Sequence, residues 1–317
     1  MSARRLALAV SAGLLVLVVA AAALIAASGK PARPLQPPVI PPAAAAPFPV
    51  PPAGSVVFAR QDGSDVLALA VLPRARGLLL RASVVGQQGS GVRGLRVQLS
   101  AGAGGSTQTR AGAACGAGCY QATVPLRSPP RTLRVVVRRP SRTTIWNVAP
   151  PAAWPAPDAT ALVARATRVW THLRSLSYVD RLRSDSVHAV VSRWRVVAPD
   201  RLAYRVEPGD DRTVIIGGRR WDRSGADAWS TSKALPVHQP QPFWVSVADA
   251  HVLGTGRIAA RPLMRVSFFD PKTRGWFLAS IDRRTGRTLD IRMWATAHFM
   301  HDTYGRFNAP LRIVPPA

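Results

Sequence analysis

The chain has 317 residues, with 42 Lys+Arg against 16 Asp+Glu, a formal net charge of +26 and a pI near 11.8, which excludes an ordinary cytosolic enzyme. Hydrophobic residues at 47% exclude a wholly disordered chain, and the length suggests about two domains. Only Lys30, Lys233 and Lys272 are lysine and Glu207 is the sole glutamate, so part of the charge is an Arg, Ala and Pro bias of composition; no nucleic-acid partner is expected.

At the N-terminus, Arg4 and Arg5 precede an uncharged run from Leu6 to Ala27, and Lys30 follows. The run is long for a secretory signal peptide and long enough to span a bilayer. It predicts a cytoplasmic stub and transmembrane anchor over residues 1–30, with a cleaved signal peptide as the alternative. Positive residues ahead of the span would keep that end cytoplasmic, giving a single-pass cell-membrane protein with residues 31–317 extracytoplasmic. Residues 31–53 are dominated by proline and read as a polyproline stalk.

Residues 54–141 carry seven short β-runs punctuated by glycine turns, the pattern of a β-sandwich. In Val66 to Val71 and Leu133 to Val137 the apolar residues are nearly continuous, as expected of strands covered on both sides. No Asp, Glu, Lys or His lies between Val66 and Pro157, while arginines are frequent. That face could adhere to anionic lipid or an acidic wall polymer, or simply be a solvated basic surface. GSGVRG has the spacing of a dinucleotide-binding loop, but a strand follows instead of a helix, so it reads as a turn. Cys115 and Cys119 are the only cysteines. An oxidising compartment favours their pairing as a disulfide, and a C-x3-C could alternatively hold Cu(I) if a ligand came from elsewhere in the chain.

The segments VLALAVLP, GLLLRASVVGQQGSGVRGLRVQL, CYQATVPL and RTLRVVV are similar to the small immunoglobulin-like modules of the YtkA/FixH and copper-resistance (CopC-like) type. The resemblance implies an Ig-like β-sandwich associated with copper handling or oxidase assembly. No His or Met occurs from residue 54 to 157 to supply the ligands of the copper-binding members.

A proline-rich linker, residues 142–157, precedes a helix predicted from Ala159 to Leu176 with Asp158 as its cap; Leu162, Val163, Ala166, Val169, Trp170 and Leu173 form its apolar stripe. Strands and hairpins fill most of the rest, and Trp170, Trp194, Trp221, Trp229, Trp244, Trp276 and Trp294 make residues 158–317 unusually aromatic. So much apolar surface on one antiparallel sheet becomes either a filled core or an open pocket.

WRVVAPDRLAYRV, TVIIGGRRWDR, VSFFDPKTRGWFLASIDRRTGRTLDIRM and HFMHDTYGRFNAPLRIVPP resemble the LolA-like lipoprotein-carrier superfamily across residues 158–317. The resemblance implies a half-open antiparallel β-barrel with a helix lid that carries or senses lipids, acyl chains or lipoproteins, without catalytic residues. Trp170, Leu173, Trp194, Tyr204, Trp221, Trp276 and Met293 are the expected ligand-lining residues. No nucleophile motif or zinc spacing is present, and Glu207, Asp210 and Asp211 read as turn formers and arginine partners. The expected function is therefore non-enzymatic: a mainly β, membrane-anchored lipid- or lipoprotein-binding protein without a cofactor. The alternatives are a copper-homeostasis accessory using Cys115, Cys119, His298 and Met300, and an envelope scaffold or stress sensor with a protein partner.

Overall fold

The computed structural model of the protein describes residues 48–317, except 186, 188 and 236. The first part of the chain forms nine strands: β1 (Val56–Asp62), β2 (Asp65–Arg74), β3 (Gly77–Val85), β4 (Arg96–Ala103), β5 (Ser106–Ala111), β6 (Ala113–Gly116), β7 (Cys119–Pro125), β8 (Thr132–Arg138) and β9 (Thr143–Val148). They make two antiparallel sheets in the orders β1-β2-β3-β7-β6 and β5-β4-β8-β9. Leu67, Leu69, Leu80, Leu99, Leu133 and Val135 fill the space between the sheets and are fully enclosed. The GSGVRG loop crosses close to the β6–β7 turn, where a Cβ at Gly91 would lie 2.1 Å from the Ala117 carbonyl oxygen. Close backbone approach therefore accounts for that glycine.

Helix α1 (Thr160–Thr171) follows. It begins one residue later than the sequence predicts, with Asp158 Oδ1 accepting from the Thr160 N–H at 3.1 Å. It also ends earlier, because Ser175 and Leu176 pair with Val197 and Val196 and so enter a strand.

The next eleven strands are β10 (Ser175–Arg183), β11 (Ala189–Val197), β12 (Arg201–Glu207), β13 (Asp211–Ile216), β14 (Arg219–Arg223), β15 (Ser230–Lys233), β16 (Ala248–Ile258), β17 (Arg261–Asp270), β18 (Gly275–Asp282), β19 (Thr288–Ala295) and β20 (His298–Gly305). All belong to one antiparallel sheet, ordered β15-β14-β13-β12-β11-β10-β20-β19-β18-β17-β16. Every neighbouring pair is sequential except β10 with β20, the seam between two meanders. Asp270 and Asp282 hold hairpin turns by accepting the backbone N–H groups of Lys272 and Arg284, each at 2.8 Å.

Strand β2 explains the continuous apolar run in its sequence. Leu67, Leu69 and Val71 enter the core between the two small sheets. Val66, Ala68 and Ala70 point the other way and pack, with Val57, Val85 and Phe48, against Phe269, Trp276 and Phe299 of the large sheet. Phe48 stacks on Trp276 with centroids 5.1 Å apart, while the Arg274 guanidinium lies 4.3 Å from the Phe48 ring centre. Acids just outside the Arg-rich stretch meet some of its charge: Arg139 pairs with Asp62 and Asp65 at 2.8 and 3.1 Å.

The expected architecture of membrane anchor, Ig-like sandwich and half-barrel with a helix lid is corrected. Among the described residues the chain is mostly strand with the single helix α1. The span expected over residues 6–27 lies outside the described residues. No helix among those described is long and apolar enough to cross a membrane, and the single-pass cell-membrane localisation is withdrawn on that finding.

Candidate functional site in the interior of the large sheet

Strand alternation puts one face of the large sheet against α1 and the connection 234–247. The cross-strand register aligns Tyr304, Tyr178, Trp194, Tyr204 and Thr213 as one row across β20, β10, β11, β12 and β13. Tyr178 stacks on Trp194 with centroids 5.5 Å apart, and Trp194 on Tyr204 at 4.2 Å. Trp170 of α1 meets Tyr304 edge-on at 5.0 Å. Trp244 closes the interior from the connection, edge-on to Trp170 and Phe268, with its Nε1 donating to Thr167 Oγ1 at 2.8 Å. The interior is thus roofed by one helix and one aromatic-tipped connection.

Of the expected lining residues, Trp170, Leu173, Trp194, Tyr204 and Met293 share this apolar interior. Two do not. Trp221 pairs with Val214 on the opposite face and lies beside Arg219, its ring centre 5.8 Å from the guanidinium carbon. Trp276 also points outward, because its neighbour Phe277 takes the inner position, and it is buried against Phe48 instead.

A second row, one alternation step from the aromatic one, is polar. Asp302 lies opposite Asp180, and Asp180 opposite Ser192. Trp194 Nε1 donates to Ser192 Oγ at 2.6 Å, Ser192 Oγ approaches Asp180 Oδ2 at 3.4 Å, and the Tyr304 hydroxyl donates to Asp302 Oδ2 at 2.6 Å. The Oδ1 atoms of Asp180 and Asp302 are buried and receive no donor from a described residue in its ionised form. Burial pushes Asp180 up to about 6. Burial first, then the charge of Asp180, holds Asp302 well above the usual carboxylate range. Burial also raises the Tyr178 and Tyr304 hydroxyls.

The motifs did not reveal this pair, though the alternation contains it. Asp180 has the parity of Leu176, Tyr178 and Leu182, and Asp302 that of Met300 and Tyr304, so both are charged residues on an apolar face.

Cys115 and Cys119 are joined in a disulfide across the β6–β7 hairpin. Their thiols are therefore not available as thiolates, and the copper alternative built on Cys115, Cys119, His298 and Met300 loses its soft ligands. Met300 packs in the apolar interior, and burial lowers the His298 imidazole, partly offset by its hydrogen bond to the Thr296 carbonyl. Among the described residues no three His, Cys, Asp or Glu side chains gather into a metal site.

No protein-family model and no curated protein matches the sequence. Among solved structures, the chain is similar to the Mycobacterium tuberculosis lipoprotein LppX, with 16% identity, a TM-score of 0.39, and coverage of 49% of this chain and 98% of that one. LprF from Mycobacterium bovis matches with 12% identity and a TM-score of 0.39, covering 51% and 99%. A LolA superfamily protein from Nitrosomonas europaea matches with 11% identity and a TM-score of 0.23, covering 50% and 96%. The resemblance of residues 54–141 to Ig-like modules is not shown by these structures.

Proposed function

We propose that the chain is a non-catalytic binding protein that takes the acyl chain of a lipid or lipoprotein into the interior of the large sheet. The observation that carries this reading is the aromatic interior roofed by one helix and by Trp244, which is tied to that helix by its hydrogen bond to Thr167. Displacing Trp244 and Phe243 opens the row Tyr304, Tyr178, Trp194 and Tyr204 to a guest without breaking a strand pairing. An acyl chain entering there replaces side-chain contacts and gains about 0.8 kcal/mol per buried CH2. The resemblance of the sequence to lipoprotein carriers supports the same class of ligand, and no covalent step is assigned.

Native mass spectrometry of the chain prepared without detergent tests the reading. The expected result is an adduct of lipid mass that disappears on denaturation. Trp244→Gly should speed release of a bound fluorescent fatty acid more than tenfold, with β-sheet circular dichroism unchanged. A clean apo mass, together with no fatty-acid binding by either form, would overturn the proposal.

A further inference from the structure

A groove of about 700 Å³ crosses the face of the large sheet opposite the aromatic interior. From each of five strands its wall takes the residue of the aromatic row together with the two outward-facing residues that flank it, and it contains neither α1 nor the Asp180 row. The side chains that shape it are therefore those pointing outward. The register places Arg193, Arg205, Arg212 and Arg223 directly opposite one another on β11, β12, β13 and β14. Like charges facing each other across strands are destabilising, so such a ladder requires counter-charge.

The protein supplies only part of it. Glu207 Oε1 accepts from Arg193 Nε at 2.7 Å, while Asp210 pairs with Arg205 at 2.6 Å and with Arg212 at 2.9 Å. Arg193 and Arg205 both meet their acids through Nε, and no hydrogen bond of their terminal N–H groups to a described residue is formed. Arg223 lies over the Trp229 ring at 5.1 Å, and its buried Nε has no partner among the described residues. Arg195, on the neighbouring row, is exposed and makes no hydrogen bond or ion pair to a described residue. Five guanidinium groups thus face two carboxylates. Beside them Ala203 and Val214 give an apolar floor.

We propose that this groove is a binding site for an organic phosphate, whose phosphoryl oxygens take the free guanidinium N–H groups while its carbon skeleton lies over Ala203 and Val214. Neighbouring strands are about 4.8 Å apart, so guanidinium groups from two strands can reach one tetrahedral anion. The planar guanidinium fork suits phosphate oxygens in pairs, and the apolar floor disfavours bare inorganic phosphate. The site is separated from the interior by the sheet and does not depend on lipid being held there.

The test is calorimetric titration of the full chain with glycerol 3-phosphate and with dihexanoyl phosphatidylglycerol below its micelle concentration, using dihexanoylglycerol as the phosphate-free control. Arg195→Gln, which breaks no ion pair, should weaken phosphate binding about fivefold by loss of a charge-assisted contact. Arg193→Gln with Arg205→Gln should weaken it more than tenfold, and thermal unfolding of each variant reports whether it folds. Equal binding of both phosphates identifies a soluble organic phosphate as the source of the shared chemistry; binding of the phosphatidylglycerol alone identifies a lipid headgroup. Binding of neither, or an Arg110→Gln change on β5 that weakens binding as much as Arg195→Gln, would overturn the proposal, the latter because net charge alone would then explain the attraction.

Discussion

The two apolar interiors of the molecule are built on different principles. Between the small sheets the core is almost entirely Leu, Val and Ala, with Tyr120 the one buried ring, its hydroxyl donating to the Val92 carbonyl oxygen at 2.9 Å. Inside the large sheet, aromatic rings meet edge-on and face-on near two carboxyl groups that burial raises above the usual carboxylate range. Aliphatic packing serves stability and needs no polar atoms. Carboxyl groups in an interior reduce stability at neutral pH, a cost that the aliphatic core between the small sheets does not carry.

Several measurements would break or sharpen this contrast. The largest effect is expected from Trp276→Ala, which empties the contact between the small and large sheets and should cost about 3–5 kcal/mol. Calorimetry should then resolve two unfolding transitions; a single transition at unchanged temperature would show that the contact contributes little. Leu99→Ala, in the aliphatic core, should cost about 2–5 kcal/mol by chemical denaturation and leave ligand retention in the large sheet unaltered.

The carboxyl pair gives a pH test. Both groups have folded-state values raised above the unfolded one, so their contribution to stability is full below about pH 4 and is lost as pH rises through the folded values. For Asp180 that loss falls near pH 6, and Asp302 is raised in the same direction. Asp302→Asn removes one of the two titrating carboxyls, so it should flatten the decline and stabilise the protein at pH 8 by about 1–3 kcal/mol. Parallel stability curves for the variant and the wild type between pH 4 and 8 would show that burial does not raise this carboxyl pair. Smallest is the disulfide: Cys115→Ser should cost about 2 kcal/mol in the chain-entropy model, measured against the oxidised parent.

Period-two alternation made much of the strand content legible, and the unbroken run in β2 announced a strand covered on both sides. Arginine partners such as Glu207 and Asp210 were also readable from the sequence. Partnership across the sheet was not. Trp194 and Trp276 are both aromatic residues on strands, and only the register and the position of Phe48 determine that one enters the interior and the other the contact with the small sheets. Asp180 and Asp302 are 122 positions apart in sequence and become neighbours only because β10 and β20 close the seam between the meanders. The arginine ladder was hidden for a different reason: in a chain so rich in arginine, no single one stands out until four are aligned.

Strand β2 leaves a mark that sequence variation itself should carry. An ordinary amphipathic strand tolerates polar substitution at every second position, so a saturation scan across it rises and falls with a two-residue rhythm. From Val66 to Val71 each side chain lies in one apolar contact or the other, odd positions from Leu67 in one and even positions in the other. The rhythm should vanish into a six-residue plateau of intolerance. Beneath that plateau, odd-numbered changes would loosen the small sheets internally, whereas even-numbered ones would detach them from their larger neighbour.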